Sequence, residues 1–261
     1  MDFRSTVLKL GLKQISQQLG EQPMCILEIG CMFKKNEGKS TLILGEFVHN
    51  RPGGGRLISI EYDQNHIDSC KEILRKHAPQ LINNIEFHCG HSLAVLPPLL
   101  EDLKAIHLVI QDGGAHPEVC LQEFELLANS LAPEGLILVD DAQKLEFSEA
   151  YSLPRPLGKC TFILPYLLLA NYKTYRKEYR NANATVDGPD SIPDSKFIRQ
   201  IMNVELPKIE PRDFILLEAR HKMLAYGNVS LLQEWQAKSN TIRSKVARIK
   251  SCIMDFLEKK L

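Results

Sequence analysis

Residues 26–41 constrain this chain more than any other stretch. Cys25, Ile26, Leu27 and Ile29 form a short apolar run around Glu28, Gly30 closes it, and Gly38, Lys39, Ser40 and Thr41 follow. Such a run reads as a parallel strand buried on both faces. Glu28 then stands at the strand's C-terminal end, where open α/β sheets bind their ligands. Gly30 allows a sharp turn and a close backbone approach. Ser40 and Thr41 supply capping hydroxyls to a helix whose first unpaired N–H groups suit a polar or anionic ligand.

Spacing separates three nucleotide readings of this element. A phosphate-binding P-loop needs four residues between its first glycine and the Gly-Lys-Ser/Thr; here seven lie between Gly30 and Gly38, and Phe33 stands where the first glycine should be. A dinucleotide fingerprint needs three closely spaced glycines, and this loop has two. What remains is an adenosyl-type pocket, with an acid in the first strand and a single essential glycine facing the amino acid end of S-adenosylmethionine. The following segments agree. Residues 56–62 are a second apolar run ending in Glu61, placed to accept the hydroxyls of a ribose. Residues 85–92 read as a third strand and turn, 105–114 as a fourth ending in Asp112 and a glycine pair, and 136–141 as a fifth ending in Asp140 and Asp141. Helical spacing of Ile67, Cys70, Ile73, Leu74 and His77, and of Leu121, Phe124, Leu127, Ala128 and Leu131, fills two of the intervals. Alternating strands and helices imply a doubly wound α/β sheet.

In this order the motifs over residues 24–143 resemble the class I S-adenosylmethionine-dependent methyltransferases. Among them the chain is most similar to the small O-methyltransferases of the catechol, caffeoyl-CoA and bacterial sugar and macrolide type. Glu28-Ile29-Gly30 with Gly38-Lys39-Ser40-Thr41, Glu61, Gly90-His91-Ser92, and Leu131-Ala132-Pro133-Glu134-Gly135 before the fifth strand carry the resemblance. It implies a Rossmann-like sheet of parallel strands with an antiparallel final pair. It further implies a cofactor site built from Glu28, Gly30, Cys31, Ser40, Thr41, Glu61, Tyr62, His91, Ser92, Asp112 and Gly113. By the same resemblance Asp112, Asp140 and Asp141 would hold Mg²⁺ or a similar divalent cation, which would fix an acceptor hydroxyl and lower its pKa. His116 would be the general base. The chain departs from the family in three places: the loop from Gly30 to Gly38 is longer, so that Lys34 to Glu37 bulge into solvent; His91 stands where an aspartate is common; and His116 falls one residue later than the usual base. His88, Cys89 and His91 alternate along a strand and lack a partner pair, so they read as packing and cofactor contact rather than metal ligands.

Outside this core the reading rests on residues alone. Residues 1–23 form an amphipathic helix (Val7, Leu8, Leu10, Leu12, Ile15, Leu19) rather than a signal peptide. Residues 144–261 hold an acceptor or lid region, the last strands and further helix. Residues 162–172 are too short and too interrupted by Pro165 to span a bilayer. Tyr172, Tyr175 and Tyr179 lie among Lys173, Arg176, Lys177 and Arg180 at a spacing that could grip RNA, although such a helix more often packs its rings and solvates its charges. Residues 181–194 read as a surface loop, 214–219 and 221–226 as late strands, and 230–261 as a helix that either folds back or forms a homodimer contact. Zero formal net charge argues against a dedicated nucleic-acid binder, and seven cysteines without a C-x-x-C pair fit reduced thiols in a cytoplasmic protein. The expectation is therefore a metal-assisted O-methyltransferase of a small hydroxylated molecule, a sugar or secondary metabolite. A metal-independent methyltransferase, including one acting on RNA, and a non-catalytic S-adenosylmethionine-binding protein stand as alternatives.

Overall fold

Six consecutive buried residues make β1 (Met24–Ile29), and they are buried because both faces of the sheet are covered by helices. In the computed structural model the described residues are 3–34, 39–113, 117–142, 145–148, 153–156, 159–160, 163, 167, 212–218 and 222–238. After α1 (Phe3–Leu19) and β1 come α2 (Ser40–Asn50), β2 (Gly55–Glu61), α3 (Gln64–His77), a 3₁₀ turn (Pro79–Asn84), β3 (Ile85–Cys89), α4 (Ser92–Asp102), β4 (Ile106–Gln111), α5 (Pro117–Asn129) and β5 (Leu131–Val139). β6 (Leu145–Ser148) and β7 (Leu153–Pro156) form a separate antiparallel pair. β8 (Phe214–Glu218), β9 (Lys222–Gly227) and α6 (Ser230–Lys238) complete the described chain.

The main sheet has seven strands in the order β3-β2-β1-β4-β5-β9-β8. β1 to β5 are parallel, whereas β9 runs antiparallel to β5 and β8 antiparallel to β9. This is the Rossmann-like arrangement with an antiparallel final pair expected from the sequence. Alternation along each strand sends side chains to two cores. Ile26, Leu57, Leu108, Leu136 and Leu138 face Val7, Leu12 and Ile15 of α1, Leu44 and Val48 of α2, and Ile67 and Leu74 of α3. Leu27, Ile58, Val109, Ile137 and Val139 face Leu96 of α4 and Cys120, Phe124 and Leu127 of α5. The chain winds from β1 outward to β3, then returns to add β4 on β1's other side. The strand order therefore reverses beside β1, and the crevice at the C-terminal ends of β1 and β4 is where such a sheet binds its ligand.

Three features depart from the sequence reading or were absent from it. β5 begins at Leu131 rather than 136, with a register shift opposite Ile106 to Leu108 that accommodates Pro133 and Gly135. α4 forms although Pro97 and Pro98 lie within it. β6 and β7 had no counterpart in the sequence reading. Gly38, His116, the tyrosines at 172, 175 and 179, the loop 181–194 and the helical stretch beyond Lys238 lie outside the described residues.

Candidate functional site

The residue after each central strand continues the strand ladder, which fixes the turn residues at the crevice. Gly30 N donates to Ile60 O (2.8 Å), Asp112 N to Ile29 O (2.9 Å), Gly90 N to Glu61 O (2.9 Å) and Asp140 N to Gln111 O (3.1 Å). Gly30 has φ +88°, and a Cβ there would lie 3.0 Å from Asp112 O, so the turn admits no side chain without strain. These turns surround a cavity of about 680 Å³.

Nine of the eleven residues expected to contact a cofactor line that cavity: Gly30, Cys31, Ser40, Glu61, Tyr62, His91, Ser92, Asp112 and Gly113. Glu61 lies at the end of β2, and its carboxylate accepts from Cys31 N (3.2 Å) and Asp63 N (3.1 Å), with His66 Nδ1 at 3.2 Å. His66 stacks on Phe33 with ring centroids 4.0 Å apart and an interplanar angle of 11°. On the same side, Tyr62 is 73% exposed and meets His91 edge-on at 6.2 Å. His91 Nδ1 accepts from Leu93 N and caps α4. Ser92 Oγ donates to Glu123 Oε1, whose other oxygen accepts from Gln111 Nε2 (2.7 Å). Burial holds the Glu123 carboxyl above its ordinary range.

Glu28 and Thr41 are placed differently. Glu28 is fully buried; its Oε2 accepts from Thr41 Oγ1 (2.8 Å) and Ser59 Oγ (3.0 Å), and Thr41 Oγ1 itself accepts from Met32 N (2.9 Å). Neither residue is on the cavity wall. They tie the first turn of α2 to β1 and β2 behind the loop. Burial pushes the Glu28 carboxyl up to about 7 against the pull of those hydroxyls, and its Oε1 has no hydrogen-bond partner. Cys31, hydrogen-bonded to Cys70 and buried, has its thiol pushed well above the usual range, so it lines the site as a neutral group.

The three aspartates do converge, yet not on an open coordination sphere. Arg4, from the first turn of α1, pairs with Asp140 Oδ2 and lies 3.5 Å from Asp112 and 3.7 Å from Asp141. Lys159 Nζ is 2.6 Å from Asp112 Oδ1 and 3.8 Å from Asp141 Oδ2. Asp140 Oδ1 accepts from Asp141 N (2.8 Å). Asp141 has φ +46°, which turns its carbonyl to accept from Lys159 N (3.1 Å). Among the described residues no group of three His, Cys, Asp or Glu side chains is arranged to hold a metal ion. The donor set therefore does not fit the divalent cation expected there.

Sequence reasoning missed Arg4, Phe33, His66, Glu123 and Lys159. One left a trace: Glu123 stands between Cys120 and Leu127 on the buried face of α5. Charged groups on an otherwise apolar face need partners. Lys159 carries no local pattern.

A methyltransferase-domain model matches residues 27–142. Searching the curated proteins gives no match. Among solved structures, the MycE methyltransferase of the mycinamycin biosynthetic pathway, in complex with Mg and SAH, is 16% identical with a TM-score of 0.50, covering 82% of this chain and 48% of that one. An O-methyltransferase from Bacillus cereus in complex with SAH is 17% identical, with a TM-score of 0.47 and coverage of 84% and 80%. The SAH-bound Podospora anserina methyltransferase PaMTH1 is 17% identical, with a TM-score of 0.45 and coverage of 84% and 76%. The family match, the strand order and the glycine turn coincide over one stretch, residues 27–142, which carries a methyltransferase domain.

Proposed function

We propose that the protein transfers the methyl group of S-adenosylmethionine to a hydroxyl oxygen of a small molecule, a sugar or secondary metabolite. The observation that carries this reading is the joining, in one cavity, of the Gly30 turn, the Glu61 carboxylate and the aspartates at the ends of β4 and β5. The bound cofactor supplies an electrophilic methyl group on a sulfonium. Glu61, oriented by the N–H groups of Cys31 and Asp63, accepts from the ribose hydroxyls. Gly30 and Gly113 let the backbone approach the amino acid end, and Tyr62, His91 and Ser92 flank the adenine. The acceptor enters beside Asp112 and Asp141, where Lys159 shares the cavity wall. His116 takes the hydroxyl proton as the oxygen attacks, and the products are the methyl ether and S-adenosylhomocysteine. Asp112, Asp140 and Asp141, paired with Arg4 and Lys159, do not fit the expected Mg²⁺.

Among the described residues no helix is long and apolar enough to cross a membrane. Calorimetric titration of S-adenosylhomocysteine tests the cofactor half. Glu61→Ala should weaken binding about 100-fold, the loss of two hydrogen bonds to a charged group. Unchanged affinity in that variant would remove Glu61 from the site.

A further inference from the structure

We infer that Arg4 and Lys159 are permanent counter-cations of the carboxylate cluster, occupying from within the chain the position a divalent metal would take. The inference rests on reading the cavity as the cofactor and acceptor site. Asp140 is nearly sealed, with a side chain 4% exposed, and a buried carboxylate must be paired or neutralised. Its two oxygens are taken by Arg4 and by Asp141 N. Asp112 Oδ1 is taken by Lys159, and the Asp141 carboxylate lies within 4 Å of both cations.

Both cations ride on anchored backbone. Arg4 rides on α1, whose Val7, Leu12 and Ile15 are buried against the sheet and whose Gln14 is hydrogen-bonded to Asn228 and Leu231. Lys159 has a side chain 8% exposed, and its backbone is tied to Asp141 while Cys160 is tied to Ala142. Releasing either would strand a buried charge.

The charge count agrees. Within the cluster, three carboxylates against two cations leave one unit of negative charge, which the single positive charge of a sulfonium complements. A divalent ion added to the same cluster would be repelled by both side chains and would leave the site cationic. Arg4 and Lys159 are thus positioning residues: they hold Asp112, Asp140 and Asp141 in place beside the methyl donor, and the acceptor is oriented without a metal.

Mn²⁺ uptake followed by electron paramagnetic resonance, in samples whose S-adenosylhomocysteine binding is measured by calorimetry, tests this directly. Wild type should take up no Mn²⁺ and bind S-adenosylhomocysteine equally in Mg²⁺ and EDTA. Arg4→Gln/Lys159→Met should still bind S-adenosylhomocysteine and now take up one Mn²⁺ per chain, lost again when Asp140→Asn is added. Stoichiometric Mn²⁺ uptake by wild type that Asp140→Asn abolishes would overturn the inference, as would a variant that binds S-adenosylhomocysteine and takes up none. If the double variant fails to fold, the wild-type arm decides it: no Mn²⁺ uptake supports the inference and stoichiometric uptake overturns it. Failure of wild type to bind S-adenosylhomocysteine would instead overturn the cofactor reading, and the Mn²⁺ result would stand apart from it.

Discussion

Glu28 shows how a residue in a ligand-binding position can act through the scaffold instead. Its carboxyl is held up to about 7 by burial, whereas the same group in an unfolded chain titrates near 4.5. The folded state therefore keeps its proton at pH values where the unfolded state has lost it. This group's contribution to stability is full below pH 4.5 and is lost as the pH rises through about 7, by up to roughly 3 kcal/mol. Glu28→Gln removes that dependence while keeping an oxygen for Thr41 and Ser59. Urea midpoints measured at pH 5, 6 and 8 should thus fall in wild type relative to the variant, and parallel curves would show that the carboxyl titrates normally. The sequence could not reveal this, because an acid before a turning glycine has the same local pattern whether it faces a cofactor or two hydroxyls behind it.

At the scale of elements, α1 is a strut rather than a peripheral helix. Gln14, 3% exposed, donates to Asn228 O (2.6 Å) and Oδ1 (2.5 Å) and accepts from Leu231 N (2.7 Å), bolting α1 to the start of α6. Phe3 and Trp235 add a ring contact at 5.9 Å. Gln14→Ala leaves buried polar groups unpaired and should cost about 1–3 kcal/mol. Hydrogen exchange at the Leu231 amide should accelerate by the corresponding factor; an unchanged rate would mean water replaces the glutamine. The parallel strands were legible because strands buried on both faces must be continuous apolar runs, and their terminal acids marked the ligand side. α4 was not, since Pro97 and Pro98 disguise a helix that begins at Ser92. The role of Arg4 was hidden for another reason: one basic residue in a helix's first turn acquires meaning only when packing delivers it to Asp140.

For the whole molecule, the site draws on residues that are far apart in sequence, from Arg4 to Lys159, so its integrity depends on the complete sheet and its covering helices. Removing residues 1–20 would expose the apolar surface that buries Val7, Leu8, Leu12, Ile15 and Leu19, each worth about 1.5–3 kcal/mol. The loss, on the order of 10 kcal/mol, rivals the net stability of a typical domain. The truncated chain should show no cooperative melt by circular dichroism, and a transition within a few degrees of wild type would show α1 to be dispensable. The sheet's edge has one more consequence. β5 pairs with β9, Val139 opposite Leu224, although more than eighty residues of chain separate them. The chain leaves the main sheet after β5 and rejoins it at β8, so what is inserted between the two can drift in length and content through evolution without disturbing the β5–β9 ladder. Acceptor preference could then diversify like an interchangeable cassette, with Lys159 held in place by the cluster at Asp112.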